Sequence, residues 1–279
     1  MKLECLSELS IYNCMTVTNA SVGVSSSSSN CVNSLNCQDG VCADFLIKRH
    51  DTRPEFKVKV EDCDGPLDLT DENLVLEASM WATARFKSAV AADDTYFRLA
   101  DDIGFEQIMV NDIIVVDQVR LPEQMLVIGF DETNKLVRVQ RAYHGTTASA
   151  YKKGTYIRIF RVLNAAAEIE SVYEDILNVD GTTSENQLTE TYLVYNWEAN
   201  DTCLPGCYNF EFKLLQMGLL TTSSLATATI TPSWTPSNLT PEDFGCLLGS
   251  GVECVRRFPP DKAAFLIQIV DSPTDELLI

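Results

Sequence analysis

Few side chains in this sequence suit proton transfer. Only two histidines occur, His50 and His144, so general acid–base chemistry is thinly supplied. His144 lies in "RAYHGTT" beside Tyr143 and ahead of a glycine, a setting that suits turn geometry. His50 precedes Asp51 at a strand entrance and reads as a surface residue. Five of the ten cysteines, Cys5, Cys14, Cys31, Cys37 and Cys42, lie near the start. "CQDGVC" and "CLPGC" separate their cysteines by four and three residues, so neither forms a zinc-ribbon CxxC knuckle. Unpaired, partly buried thiols are expected, with a structural zinc site or late-formed disulfides as alternatives. The pairs Asp93-Asp94, Asp101-Asp102 and Glu61-Asp62 could offer oxygen to calcium. None lies in an alternating Asp/Asn loop closed by Glu, and solvated charge is the expectation.

Nucleophile and phosphate chemistry fare no better. There is no GxSxG elbow and no GxxxxGK[ST] loop, and "GTTASAYKKGT" from Gly145 to Thr155 reads as a turn-rich connection. A glycosidase needs two carboxylates at a set separation, and nothing singles out such a pair. The expectation is a chain that is not an enzyme, with no catalytic residue, no cofactor and no metal.

The elements that would carry a site read as β. In "FKVKVED", Phe56, Val58 and Val60 share one face, while Lys57, Lys59 and Glu61 take the other. A turn through Asp64-Gly65-Pro66 leads to "NLVLEASMWA", where Leu74, Leu76 and Ala78 oppose Val75, Glu77 and Ser79. Far downstream, Tyr208, Phe210 and Phe212 alternate with Asn209, Glu211 and Lys213. "TYLVYNW" precedes them across a turn with Pro205 and Gly206, a hairpin signal. Between these pairs, "MLVIGF", "KLVRVQRAY" and "TYIRIFRVL" are short strands with close turn signals, as in a small barrel or sandwich. "NAAAEIESVYEDIL" reads as a helix over 164–177, capped by Asn164, with Ile169, Val172, Tyr173 and Ile176 on one face.

The fold class that follows is mainly β: an antiparallel β-sandwich with an inserted small β-rich domain and one short helix. Residues 1–44 form a Cys- and Ser-rich arm whose "SSSSSN" has flexible-spacer composition, so it either threads onto a neighbour or stays mobile. Residues 45–87 and 189–217 make a split β-sandwich domain, and 88–188 make the inserted domain. Residues 218–279 form an extended C-terminal segment with a terminal strand, "AAFLIQIVDS".

Charge excludes some partners. Forty acidic residues against 21 basic give a formal net charge of −19, which repels phosphate backbones. The densest cationic stretch, Arg138 to Arg161, alternates with apolar residues and fits the wet face of a sheet. No window approaches the roughly 18 apolar residues that cross a bilayer. "MKLECLSELS" carries Glu4 and Glu8 where an export signal wants positive charge, so export by that route is not expected. Neither nucleic acid nor membrane is expected as a partner.

Two stretches carry a resemblance. Asp51, Thr52 and Pro54, then Asp62, Gly65, Pro66, Asp68, Leu69 and Thr70, resemble the opening of the N-terminal domain of phage upper-baseplate proteins. Gly206, Tyr208, Phe210 and Phe212 resemble that family's closing strand, here displaced by more than a hundred residues, as an inserted domain would cause. Within the insert, Arg141, Gly145, Thr146, Ala148, Gly154 and Thr155 are similar to a short module of phage tail and fibre-attachment proteins. Ala142 replaces that module's first glycine and Tyr151 its histidine, so any role of the histidine is lost. The resemblance implies a bacteriophage virion structural protein of the tail, baseplate or fibre attachment, assembled in the host cytoplasm. It implies a sandwich packed as a homo-oligomer around a symmetry axis, with other virion proteins as partners. The arm up to Cys42 and the tail after Asp271 are the expected assembly segments. A head–tail connector or neck protein is one alternative. A carbohydrate-binding or glycan-hydrolysing fibre or spike module is another, with Trp81, Trp197 and Trp234 as stacking candidates, although Trp81 and Trp197 read as core residues at strand ends.

Overall fold

A computed structural model describes residues 16–19, 43–62, 65–100, 105–116, 122–217, 252–258 and 264–271. The chain is mainly β, and its strands divide into a sandwich and a smaller barrel. In chain order they are β1 (Thr16–Asn19), β2 (Phe45–Lys48), β3 (Phe56–Asp62), β4 (Gly65–Pro66), β5 (Leu74–Arg85), β6 (Tyr96–Phe97) and β7 (Ile113–Val116). There follow β8 (Glu123–Asp131), β9 (Leu136–Gln140), β10 (Tyr156–Leu177), β11 (Thr183–Tyr195), β12 (Gly206–Met217), β13 (Val252–Phe258) and β14 (Phe265–Val270).

One sandwich sheet sets β3 between β1 and β11, with β11 continuing onto the C-terminal half of β10. The facing sheet runs β2-β14-β12-β5-β10, and β13 shares the edge of β12 with β14. Alternation explains the pairing of faces. Phe56, Val58 and Val60 on β3 point inward at Leu76, Ala78 and Met80 on β5 and at Tyr208, Phe210, Phe212 and Leu214 on β12, all within one buried cluster. Phe56 lies at its centre, its ring 4.9 Å from Phe210, 5.2 Å from Phe45 and 5.4 Å from Phe265. Each such edge-on contact adds about 0.5–1.5 kcal/mol to what burial alone contributes.

The turn between β3 and β5 explains its residue types. Gly65 has φ of +131°, which a side chain would resist. The Thr70 amide and hydroxyl donate to Asp68 Oδ1 at 3.1 and 2.6 Å, closing a local loop that drops Leu69 into the core.

The barrel is built from the far end of β5, then β6 to β9 and the start of β10, in the order β5-β10-β7-β8-β9-β6. It closes where Lys87 and Ala100 donate their amides to the carbonyls of Arg98 and Arg85, beside a Phe86–Leu99 bridge. Closure removes sheet edges. Phe86, Phe97, Ile114, Met125, Val127, Val137, Val139, Ile157 and Ile159 fill it as a second core.

Several expectations change. Residues 164–177 are strand, not helix: Ala165, Ala166 and Ala167 pair with Ala78, Glu77 and Leu76, and Glu168 to Leu177 pair with β11. Alanine and glutamate favour helix only weakly, and two flanking ladders override them. "TYLVYNW" and "GCYNFEF" are not a hairpin either. The first pairs with β3 and the second with β5, so the turn between them crosses from one sheet to the other. The strands β3 and β5, joined by the Gly65-Pro66 turn, face one another across the core from different sheets. The sheet is mixed, because β2 runs parallel to β14. The insert is narrower than 88–188: the barrel core ends near Ile159, and Val162, Ala165, Ala167 and Ile169 pack on the sandwich core. Within the 1–44 arm, Thr16 to Asn19 folds back as β1 on this chain's own β3. The remainder of the arm up to Cys42, residues 218–251 and the tail after Asp271 lie outside the described residues.

Candidate functional site

Among the described residues the side chains suited to chemistry are not brought together. His50 sits in a turn at φ +63° ahead of β3, in the sandwich; His144 sits at φ +52° in a short 3-10 turn, Tyr143–Gly145, on the barrel. The His144 Nδ1 lies 2.9 Å from Gln124 Oε1 and its ring packs on Tyr143. Asp94 accepts the Ala91 amide at 2.7 Å, and Glu61 lies 3.6 Å from Lys59; Asp101 and Asp102 lie outside the described residues. No group of three His, Cys, Asp or Glu side chains among the described residues could hold a metal ion. Trp81 and Trp197 are core residues, while Trp234 lies outside the described residues. Cys203 is a free, half-buried thiol, whereas Cys207 is disulfide-bonded, contrary to the expectation of unpaired thiols.

Within the cationic stretch, Arg138, Lys152 and Lys153 are exposed, whereas Arg141 and Arg161 are buried in ion pairs. Arg141, with 7% of its side chain exposed, makes a two-pronged bridge to the fully buried Glu123, Nε to Oε1 at 2.7 Å and Nη2 to Oε2 at 2.8 Å. Glu123 also accepts the Ser149 amide at 3.0 Å, the Tyr151 hydroxyl at 2.9 Å and the Ala142 amide at 3.3 Å. Burial works to raise the Glu123 carboxyl, but these donors and the guanidinium charge outweigh it and hold it below the usual range. Burial and Glu123 together push the Tyr151 phenol up, so it stays a donor. The carboxylate is saturated and closed off, which makes it a clasp for the loop rather than an acid or base. Tyr151 is part of that clasp.

A second buried pair holds the barrel to the sandwich. Arg161 on β10 bridges Asp112 at 3.0 and 3.1 Å, donates to the Gln107 carbonyl at 2.9 Å, and lies over the Tyr208 ring of β12. Both side chains are 3% exposed. Burial pushes the Asp112 carboxyl up, while Arg161 and the Met109 amide hold it back; burial opposes the Arg161 charge, but Asp112 outweighs it and raises the guanidinium. At the same junction a Cβ on Gly206 would fall 2.2 Å from Gln107 Nε2, the far end of that side chain, and φ of +148° strains any residue but glycine there.

What remains open is a ribbon. Beyond the last sandwich pairing, Tyr192 with Lys59, the strands β10 and β11 pair only with each other among the described residues. Seven further residues on β10, Ser171 to Leu177, carry the ribbon roughly 20 Å outward at about 3.3 Å per residue. Its turn is firmly built: the Asn178 amide donates to the Thr182 carbonyl at 2.8 Å, the Thr182 amide to Asp180 Oδ1 at 2.9 Å, and Gly181 takes φ +83°. Tyr173, Ile176, Leu177 and Val179 are exposed there, Leu177 by 73%. Between Arg161 and Lys213 the sequence has ten acidic residues and no basic one. Lys57 and Lys59 of β3 neutralise Glu170 and Glu190 at the ribbon base; Glu174, Asp175, Asp180 and Glu185 lie further out. Sequence reading missed this element because it assigned the outgoing strand to a helix. The signal was present in Asp180-Gly181, a strong hairpin dipeptide.

Opposite in character is a cleft of about 250 Å³ on the barrel, lined by Lys87, Arg98, Phe105, Thr133, Asn134 and Lys135. The Lys135 ammonium lies over the Phe105 ring. No helix among the described residues is long and apolar enough to cross a membrane. No known family model matches the chain, and no curated protein matches it either.

Proposed function

We propose that this chain is a structural component of a bacteriophage virion, an adaptor of the tail, baseplate or fibre attachment that acts by protein–protein contact. One observation carries most of the weight: Phe56 and Phe210, from the two stretches that resemble the upper-baseplate domain, pack ring to ring in one core although 153 residues of chain separate them. The stretch resembling the tail-protein module lies in the barrel that interrupts the sandwich, which is the nesting the resemblance implies. The ionic clasps at Glu123 and Arg161 support a rigid scaffold, since every strong charge pair in them serves packing. The exposed apolar ribbon tip supports contact with another protein, because a patch of this kind on a soluble chain marks an interaction site. The glycan reading loses two of its three stacking candidates, Trp81 and Trp197, to the core. The test is an electron-microscopy map of phage particles with mass spectrometry of their proteins. A density ring accommodating the sandwich and barrel is the expected outcome, and absence of the chain from intact particles refutes the proposal.

A further inference from the structure

We infer that copies of this chain bind one another head to tail, the acidic ribbon of one seated against the cationic cleft of the next copy's barrel. The inference deepens the adaptor reading and rests on it, naming a second copy as the partner of the ribbon.

Charge segregation is the first support. From Phe86 to Arg161 ten basic residues balance ten acidic ones, so the whole net charge of −19 resides outside the barrel. The outer ribbon contributes Glu174, Asp175, Asp180 and Glu185 with no cation among them, whereas the cleft gathers Lys87, Arg98 and Lys135. Asp131, at the turn that leads into Thr133, lies near enough to Arg98 to be favoured in its charged form, and three cations at the cleft still outnumber it. Fields of opposite sign on two surfaces of one molecule steer copies toward each other and fix their register.

Geometry supplies the second support. The 22-residue strand β10 starts in the barrel, where the Gly154 amide just ahead of it donates to Phe86 beside the cleft residue Lys87, and its last residues reach the ribbon tip. At about 3.3 Å per residue its ends lie up to roughly 70 Å apart. The ladders with β5, β7 and β11 hold β10 along its length, so the ribbon is fixed away from the barrel and the two surfaces meet between molecules. Such a contact is heterologous: it closes a ring if the rotation per copy allows and otherwise propagates. Leu177 and Val179 give the contact an apolar centre and the surrounding carboxylates give it a charged rim, the arrangement interfaces use. Phe105 is the aromatic residue in the cleft lining, with Lys135 over its ring.

The test uses full-length chain and weight-average mass by light scattering and sedimentation. The ribbon-reversed variant carries Glu174→Lys and Glu185→Lys; the cleft-reversed variant carries Lys87→Glu and Arg98→Glu. All four positions are surface sites, and circular dichroism confirms that each variant folds. Wild type is expected to self-associate at low salt and to dissociate as salt screens the rim. Either variant alone is expected to associate at least tenfold more weakly. An equimolar mixture of the two is expected to assemble again, because each then meets an opposite charge. A wild type monomeric at low salt, variants that associate unchanged, or a mixture that stays monomeric overturns the inference. A monomeric wild type that still co-sediments with phage tail proteins overturns this contact and leaves the adaptor reading standing. A self-associating chain absent from particles does the reverse.

Discussion

Replacing Glu123 by glutamine removes a charge from the barrel while leaving its shape almost unchanged, and so isolates what the ionic clasp contributes. In the native chain the carboxylate takes two hydrogen bonds from Arg141 and one each from Ser149, Tyr151 and Ala142. Glutamine keeps one carbonyl oxygen and turns an amide NH2 toward groups that are themselves donors. Removing one member of a buried pair costs about 3–5 kcal/mol. Arg141 retains the carbonyls of Ala91, Asp94 and Ser149 at 2.8, 3.0 and 2.6 Å, which places Glu123→Gln at the lower end, about 3 kcal/mol. At roughly 2–4 °C per kcal/mol for a chain of this size, the melting midpoint falls on the order of 6–12 °C. The pH dependence provides an internal control. Glu123 is held below its ordinary value of 4.5, so its stabilisation is complete above that value and is lost as pH falls through the lower folded one. The gap between wild type and variant is therefore full at neutral pH and narrows below 4.5. Urea titrations at several pH values measure it. A variant within about 0.5 kcal/mol of wild type at neutral pH, or a gap that does not narrow in acid, refutes the clasp.

Other perturbations read other parts of the fold. Phe56→Ala empties the centre of the sandwich core and is expected to cost about 3–5 kcal/mol, seen as an earlier denaturant midpoint in the fluorescence of Trp197, whose ring lies 6.3 Å away. Gly206→Ala sets a methyl 2.2 Å from Gln107 Nε2 at φ +148°, for an expected loss of about 1–3 kcal/mol; adding Gln107→Ala relieves the clash but not the backbone strain, so only part of the loss returns. Leu177→Ser, by contrast, alters an exposed tip and is expected to leave the melting midpoint within about 0.5 kcal/mol of wild type, while reducing the binding of a hydrophobic dye.

The inward faces of the sandwich were legible because period-two alternation survives in any register: Phe56, Val58 and Val60, and Tyr208, Phe210 and Phe212, are buried as their spacing requires. Which strands neighbour one another was not. Phe45 lies beside Ile267 in a parallel pair, a contact across more than two hundred residues that no local pattern encodes. The false helix has a specific cause. A spacing of four is close to one helical turn and is also an even step along a strand, so Ile169 with Tyr173, and Val172 with Ile176, satisfy both periods. The strand splits that apparent helical stripe between its two faces. Arg141 and Arg161 were misread as solvated because alternation reports which face a residue takes, not whether a carboxylate such as Glu123 or Asp112 waits there.

The shared strands β5 and β10 have a mechanical consequence. Barrel and sandwich are joined by two continuous backbones lying side by side, paired from Tyr156 with Arg85 to Ala167 with Leu76. Tension along these strands loads their crosswise hydrogen bonds in shear, many at once, instead of opening them one after another. A pull on the barrel along these strands therefore passes to the sandwich core through paired backbone rather than through a slack tether.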